Sequence, residues 1–267
     1  MSQKDVLCPM LKGTRIEKFE EDQPGVDKIK YLKDLGEVGY AVLTRPEFMV
    51  AVQYLRLAMA HPGPSHVQLL QRVKRSLAST TLNNDVGMLF KYDVSEWNEA
   101  EWCGGRGVSY TCMTDSSLNN KIVFGRTLAA AVLADDQGNF VDISAKWLHF
   151  SLHTSMDAEV AALANGALKL AGLSTVAEDL GVKGNTDRLL CDNQAAVIVC
   201  KTGFSKENSR LIFSRYWLIR SLLANGDATI EHIPGTANKA DFFTKLFSAA
   251  EFKSRKDLFV KVEPRRK

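Results

Sequence analysis

The stretch that most limits what this chain can fold into is "DRLLCDNQAAVIVCKTG", Asp187 to Gly203. A short apolar run stops on the acid Asp192. An amide pair follows, and a second apolar run carries helical spacing to Gly203, a residue suited to closing a helix. A strand that runs straight into a helix commits the chain to a sheet with helices on its faces. Asp192 has two readings. An aspartate before a helix commonly caps it. The carboxyl end of a strand in such a sheet is also where ligands bind.

The surrounding pattern extends the same architecture. "VSYTCMTDSS" has the character of a strand, and "RTLAAAVLADDQGNFVDISAKW" reads as two strands about a turn at "DDQGN". "SMDAEVAALANGALKLAGL" predicts a long Ala-rich helix. "ENSRLIFSRYWLIRSLLANG" predicts a helix closed by Gly226, "ATIEHIP" a strand and "NKADFFTKLFSAAEF" a last helix. The order is three strands, helix, strand, two helices, strand, helix, which is a mixed α/β sheet flanked by helices. Residues 107–252 form this predicted domain. Upstream, residues 29–92 are helical in pattern, with "MVAVQYLRLAMAH" and "HVQLLQRVKRSLAS" separated by "HPGPSH" and Ser65 as the second helix's cap. Residues 1–28 are charged and aperiodic and predict a poorly ordered lead-in. "DVSEWNEAEWCGGRG" predicts a connector over 93–106, and 253–267 a basic tail.

Bulk composition narrows the function classes. At 267 residues and 45% hydrophobic, the chain can bury a substantial core. A net charge of +3 does not by itself demand a polyanionic partner. The five cysteines, at 8, 103, 112, 191 and 200, are odd in number and form no C-x-x-C pair. That argues against a disulfide framework and for a reducing compartment. The first residues show no signal-peptide core, and no run of roughly 18 apolar residues is free of charge. An intracellular protein of cytoplasm or nucleus, without a membrane span, is therefore expected.

Four acids stand out by position. Asp115 interrupts the first strand in "TDSS", a stretch equally suited to a turn. Glu159 follows the start of the Ala-rich helix, on a row with Leu163, Gly166 and Leu170 that should face the sheet. An acid there needs a cation or hydrogen bonds. Asp192 ends a strand, and Asp241 opens the last helix, with Asn238 as its cap. If the four converge, at least one should titrate high without a metal. Hard oxygen ligands suit magnesium or manganese. Two such ions about 4 Å apart activate a water and stabilise a phosphodiester's leaving oxygen. His149 and His153 fit a strand or loop better than a zinc pair, and Cys191 and Cys200 read as small buried hydrophobes. Lys201, Lys206 and Arg210 are candidates for phosphate contact.

The chain resembles the C-terminal part of copia-type retrotransposon polyproteins, the end of the reverse transcriptase followed by its ribonuclease H domain. "TDSS", "SMDAEVAAL", "CDNQAAV" and "HIPGTANKADFFTK" follow the family's acidic motifs in order, and Thr44 to Pro46, Pro64, His66, Arg72 and Thr80 carry the match upstream. The resemblance implies an RNase H-like mixed five-stranded sheet, preceded by a helical segment from the end of the reverse transcriptase. It implies Asp115, Glu159, Asp192 and Asp241 as catalytic and metal-binding residues, with two Mg2+ ions, or Mn2+ in their place. The implied reaction is hydrolysis of RNA paired with DNA. Upstream reverse transcriptase or integrase parts of a polyprotein are the implied partners. A fragment that only binds nucleic acid or a protein is the alternative. No Tyr-x-Asp-Asp pair is present, so no polymerase activity is expected from this chain. The first strand carries "MTDSS" where many relatives have a doubled Asp motif, and His232 falls within a strand rather than in the loop before Asp241.

Overall fold

The computed structural model describes residues 8–81, 84–88, 90, 107–120, 126–149, 152–182, 184–203 and 210–264. The expected connector, Lys206 and the side chain of Arg210 lie outside the described residues. Two compact units are present. One gathers residues from 1–89 and 245–267, the other residues from 90–119 and 126–244.

The N-terminal stretch of the first unit forms the helices α1 (Lys28–Ala41), α2 (Met49–Arg56) and α3 (Pro64–Thr81). Asp27 caps α1 by accepting from the Lys30 N–H at 2.9 Å. Tyr31, Leu35, Phe48, Tyr54, Leu55, Leu70 and Val73 are its core. The sequence suggests a helical pair with Ser65 as a cap; instead α3 opens at Pro64, whose ring presets the helical φ. Ser65 lies inside the first turn and donates to Glu17 Oε2 at 2.6 Å. The described part of the lead-in is packed, with Cys8, Met10 and Ile16 buried, because these apolar side chains find the unit's core without forming a regular element. A strand β1 (Asn84–Gly87) completes this stretch of chain.

The second unit is built on a five-stranded sheet. Its strands are β2 (Thr111–Asn120), β3 (Arg126–Ala134), β4 (Phe140–Trp147), β5 (Asp187–Cys191) and β6 (Ala228–His232), in the order β4-β3-β2-β5-β6. β3 and β4 form an antiparallel hairpin. Asp135 closes its turn by accepting from the N–H groups of Gln137 and Asn139, and Gly138 takes the left-handed φ of +83°. β2 runs parallel to β5, and β5 parallel to β6. The expected mixed sheet with flanking helices is therefore what the chain forms.

Three helices flank the sheet: α4 (Ser155–Asp179), α5 (Gln194–Thr202) and α6 (Arg210–Asn225). Thr154 caps α4, accepting from the Asp157 N–H at 3.0 Å. Among the described residues, α4 is long and apolar enough to cross a membrane by length and composition alone, yet half of its apolar window is buried. Ala158, Ala161, Leu163, Ala167 and Leu170 join the sheet residues Cys112, Ala129, Ala131 and Leu189 in one core. Gly166 sets the depth of that packing. A Cβ there would lie 2.7 Å from both Cys112 Sγ and Thr114 Cγ2 on β2.

The expected last helix is two pieces. A 3-10 turn, Lys239–Phe243, is followed by α7 (Ala249–Lys256). Ser248 has an extended backbone and caps α7 in a reciprocal capping box with Glu251, so no helix runs through it. Residues 245–252, read from the sequence as the end of the second domain, group with the first unit. So does the segment read as a basic tail, where strand β7 (Lys261–Pro264) pairs antiparallel with β1.

Two glycines of α4 give opposite expectations. Gly166→Ala gains helix propensity of about 1 kcal/mol but overpacks against β2 by about 1–3 kcal/mol, so thermal melting should fall by roughly 2–4 °C. Nothing lies within 4 Å of a Cβ built at Gly172, so Gly172→Ala should raise the melting temperature by about 2 °C. Equal shifts for the two variants would contradict the close approach at Gly166.

Candidate metal centre

The site forms where β5 ends beside the middle of β2. Their last paired residues are Thr114 and Cys191, so Asp115 and Asp192 each follow directly. Asp192 is not the cap of α5. Asn193 fills that role, its Oδ1 accepting from the Ala196 N–H at 3.1 Å. The capping explanation for an acid at this strand end is thereby removed. Asp192 is half-buried, and its Oδ2 faces the backbone of Gly235, where a Cβ would come within 3.2 Å. Its carbonyl accepts from Nε2 of His232, the last residue of β6, at 3.1 Å. His232 is thus an exposed strand residue held beside Asp192 by the main chain.

Glu159 descends from α4 onto the same part of the sheet. It is 6% exposed. Its Oε1 accepts from the N–H and the hydroxyl of Ser116, at 3.2 and 2.7 Å. Its Oε2 accepts from the Cys191 thiol at 3.6 Å. Burial pushes its pKa up to about 8, and the charges of Asp115 and Asp192 push the same way, against the Ser116 hydrogen bond. Among the described residues neither Glu159 nor Asp192 forms an ion pair.

Asp115 is 3% exposed, and its Oδ2 accepts from the Thr244 hydroxyl. Asp241 is buried in the 3-10 turn. Asn238 caps that turn and donates through Nδ2 to the Thr114 carbonyl at 2.9 Å, pinning it to β2. The Lys239 ammonium lies 4.8 Å over the Phe140 ring and anchors the same turn to β4. Asp115, Glu159 and Asp192 thus share one electrostatic environment, and Thr244 links Asp115 to the main chain of Asp241.

One carboxylate oxygen from each of Glu159 and Asp192 and the Cys191 sulfur lie within 4.8 Å of one another. The thiol is held protonated by burial and by Glu159. The charge of the group is therefore carboxylate charge, and its donors are hard oxygens. That donor set fits a magnesium-like or manganese-like cation rather than zinc. His149 and His153 take no part in it.

A buried acid elsewhere shows the contrast. Asp187 at the start of β5 accepts from the Tyr110 N–H at 2.8 Å and the Ser174 hydroxyl at 2.7 Å. Its pKa is also raised, chiefly by burial. Its nearest acid in effect is Asp227 alone, and its hydrogen bonds tether α4 to the sheet. It is a structural acid.

Lys201 sits away from the acids, exposed in the last turn of α5, about 12 Å along the helix axis from its cap. There it borders a groove of about 500 Å³ with Arg220, Leu223, Ile230 and Glu231. Arg210 opens α6. Sequence reading did not single out Ser116, Thr244 or Asn238's second hydrogen bond, and it took Cys191 for a plain hydrophobe. Each is an uncharged donor beside an acid, a type of residue that carries no charge pattern. Adjacency to Asp115, Asp192 and Asp241 is the signal they offer.

No family model matches the chain. Two curated relatives are similar to it, both retrovirus-related Pol polyproteins of Arabidopsis thaliana. That from transposon RE2 is 27% identical over 248 residues, 89% of this chain. That from transposon RE1 is 24% identical over 257 residues, 94% of this chain. The chain spans 16% of the length of each. The resemblance to retrotransposon polyproteins is borne out. Among solved structures, the LC11 RNase H1 isolated from compost by a metagenomic approach is 18% identical, with a TM-score of 0.41, over 51% of this chain and 91% of that one.

The raised pKa of Glu159 has a sign. Its folded value of about 8 lies above the ordinary 4.5, so the stability it contributes is complete below pH 4.5 and is lost as pH rises to about 8. In metal-free buffer the melting temperature of the wild type should fall across that window. Glu159→Gln, which stays neutral, should lose most of that slope and be the more stable protein at pH 8. Parallel melting curves for the two proteins would show that Glu159 titrates normally.

Proposed function

We propose that the second unit is a metal-dependent ribonuclease H that hydrolyses the RNA strand of RNA:DNA hybrids within a retrotransposon reverse transcriptase. The observation that carries this reading is the meeting of Asp115, Glu159 and Asp192 at the carboxyl end of β5, beside the middle of β2, where Glu159 is pushed up to about 8. The Pol polyprotein relatives supply the context of a reverse transcriptase.

In this reading Asp115, Glu159, Asp192 and Asp241 hold two Mg2+ ions, with Mn2+ able to replace them. When bound, the metal polarises the scissile phosphodiester and lowers the pKa of water. The protein's own part is to aim the carboxylates, which a bound cation would let ionise together. Ser116 and the Cys191 thiol orient Glu159 with neutral hydrogen bonds, which leave its charge undischarged. Asn193 caps α5 in place of Asp192 and so leaves that carboxylate to the site. Lys201, Lys206 and Arg210 are the proposed phosphate contacts. Recognition through backbone and 2′-hydroxyl contacts gives little sequence preference. Reverse transcriptase or integrase segments of the same polyprotein are the proposed protein partners.

Cleavage of an end-labelled hybrid tests the reading. Wild type with magnesium should cut the RNA strand, and Asp192→Asn should be slower by about 100-fold or more, since it removes a charge that holds the metal. Double-stranded DNA and double-stranded RNA should remain intact. A wild type as inert as Asp192→Asn would leave a fragment that only binds nucleic acid or a protein.

A further inference from the structure

We propose that Thr244 is a positioning residue for the acidic site: its hydroxyl fixes the Asp115 carboxylate and joins it to the turn that carries Asp241. The proposal rests on the reading of the four acids as a metal site.

Thr244 is completely buried at the end of the 3-10 turn. Its hydroxyl has one proton to give and two acceptors in reach. One is Asp115 Oδ2, and the other is the Asp241 carbonyl at 3.3 Å. The closer partner is the carboxylate. A threonine at a helix end can satisfy itself on the carbonyl of the preceding turn. Here the side chain instead reaches across to another element. The same turn is bonded to β2 one residue earlier, through Asn238 and the Thr114 carbonyl. Consecutive residues of β2, Thr114 and Asp115, are therefore both held by the two ends of one short segment, and Asp241 lies between those ends.

The chemistry of the donor matters. A lysine or arginine at this place would orient Asp115 but also neutralise it and compete with a cation. A hydroxyl orients the carboxylate and leaves its full charge. Outer hydrogen-bond partners of this kind change metal affinity by about 10- to 100-fold when removed. Valine has the shape of threonine without the donor, and serine keeps the donor.

Calorimetric titration of the full chain with Mn2+ tests the role, with the melting temperature measured in parallel. Thr244→Val should weaken Mn2+ binding about tenfold or more, while Thr244→Ser stays within about threefold of wild type. Should the valine variant not fold, Thr244→Ala read against Thr244→Ser makes the same comparison. Thr244→Val binding Mn2+ as tightly as wild type, even with a lowered melting temperature, would reduce Thr244 to a packing residue and overturn the proposal. Thr244→Ser as weak as Thr244→Val would overturn it as well. A wild type that binds no Mn2+ would remove the metal-site reading itself, a failure visible before any variant is compared.

Discussion

Carboxylates crowded where β5 ends beside β2 repel one another, and the second unit is organised around tolerating that repulsion. Oxygens of Glu159 and Asp192 come within 4.8 Å. At that separation and an effective dielectric near 20, two unit charges repel by about 3 kcal/mol. Asp115 adds to the same field. Without a cation the least costly response is for Glu159, the acid whose pKa is raised, to keep a proton. A divalent cation offers the other response and lets all the carboxylates ionise together.

The fold supplies the force that keeps these groups in place. Parallel pairing of β2 with β5 sets Asp115 beside Asp192. α4 brings Glu159 over them only because Gly166 lets the helix lie flush on Cys112 and Thr114. The turn bearing Asp241 is held by Asn238 on β2 and by Lys239 over Phe140. Neutral donors orient Glu159, through Ser116 and Cys191, and the Thr244 hydroxyl adds a neutral donor to Asp115. Asp187 shows the alternative outcome, a buried acid fully occupied with backbone and hydroxyl donors and used only to join α4 to the sheet.

Much of this second unit was legible in the sequence where a period changed. The switch from strand to helix after Cys191, the "DDQGN" turn and the length of the Ala-rich helix each specify an element by local chemistry. Less was legible where the outcome depends on distant chain. Asp192 and Asn193 are both good caps, and only the register of α5 decides that Asn193 takes the role. The break at Ser248 is written in a capping box, but the helical spacing of "NKADFFTKLFSAAEF" hides it. The pairing of β1 with β7 joins segments far apart in the chain, and nothing local to either announces it. The acids could be singled out because charge near apolar rows is conspicuous. Their neutral supports could not, because serine, threonine and cysteine fit buried positions for many reasons.

The protonation of Glu159 itself tests the account most directly. Carbon-13 labelling of the glutamate carboxyls, with Glu159 assigned by comparison with Glu159→Gln, allows its titration to be followed by NMR with and without magnesium. The account predicts a metal-free midpoint near 8 that moves down by more than one unit when magnesium is added. A midpoint near the ordinary 4.5, unchanged by magnesium, would mean that the three carboxylates do not share a field and that no cation is needed to hold them together.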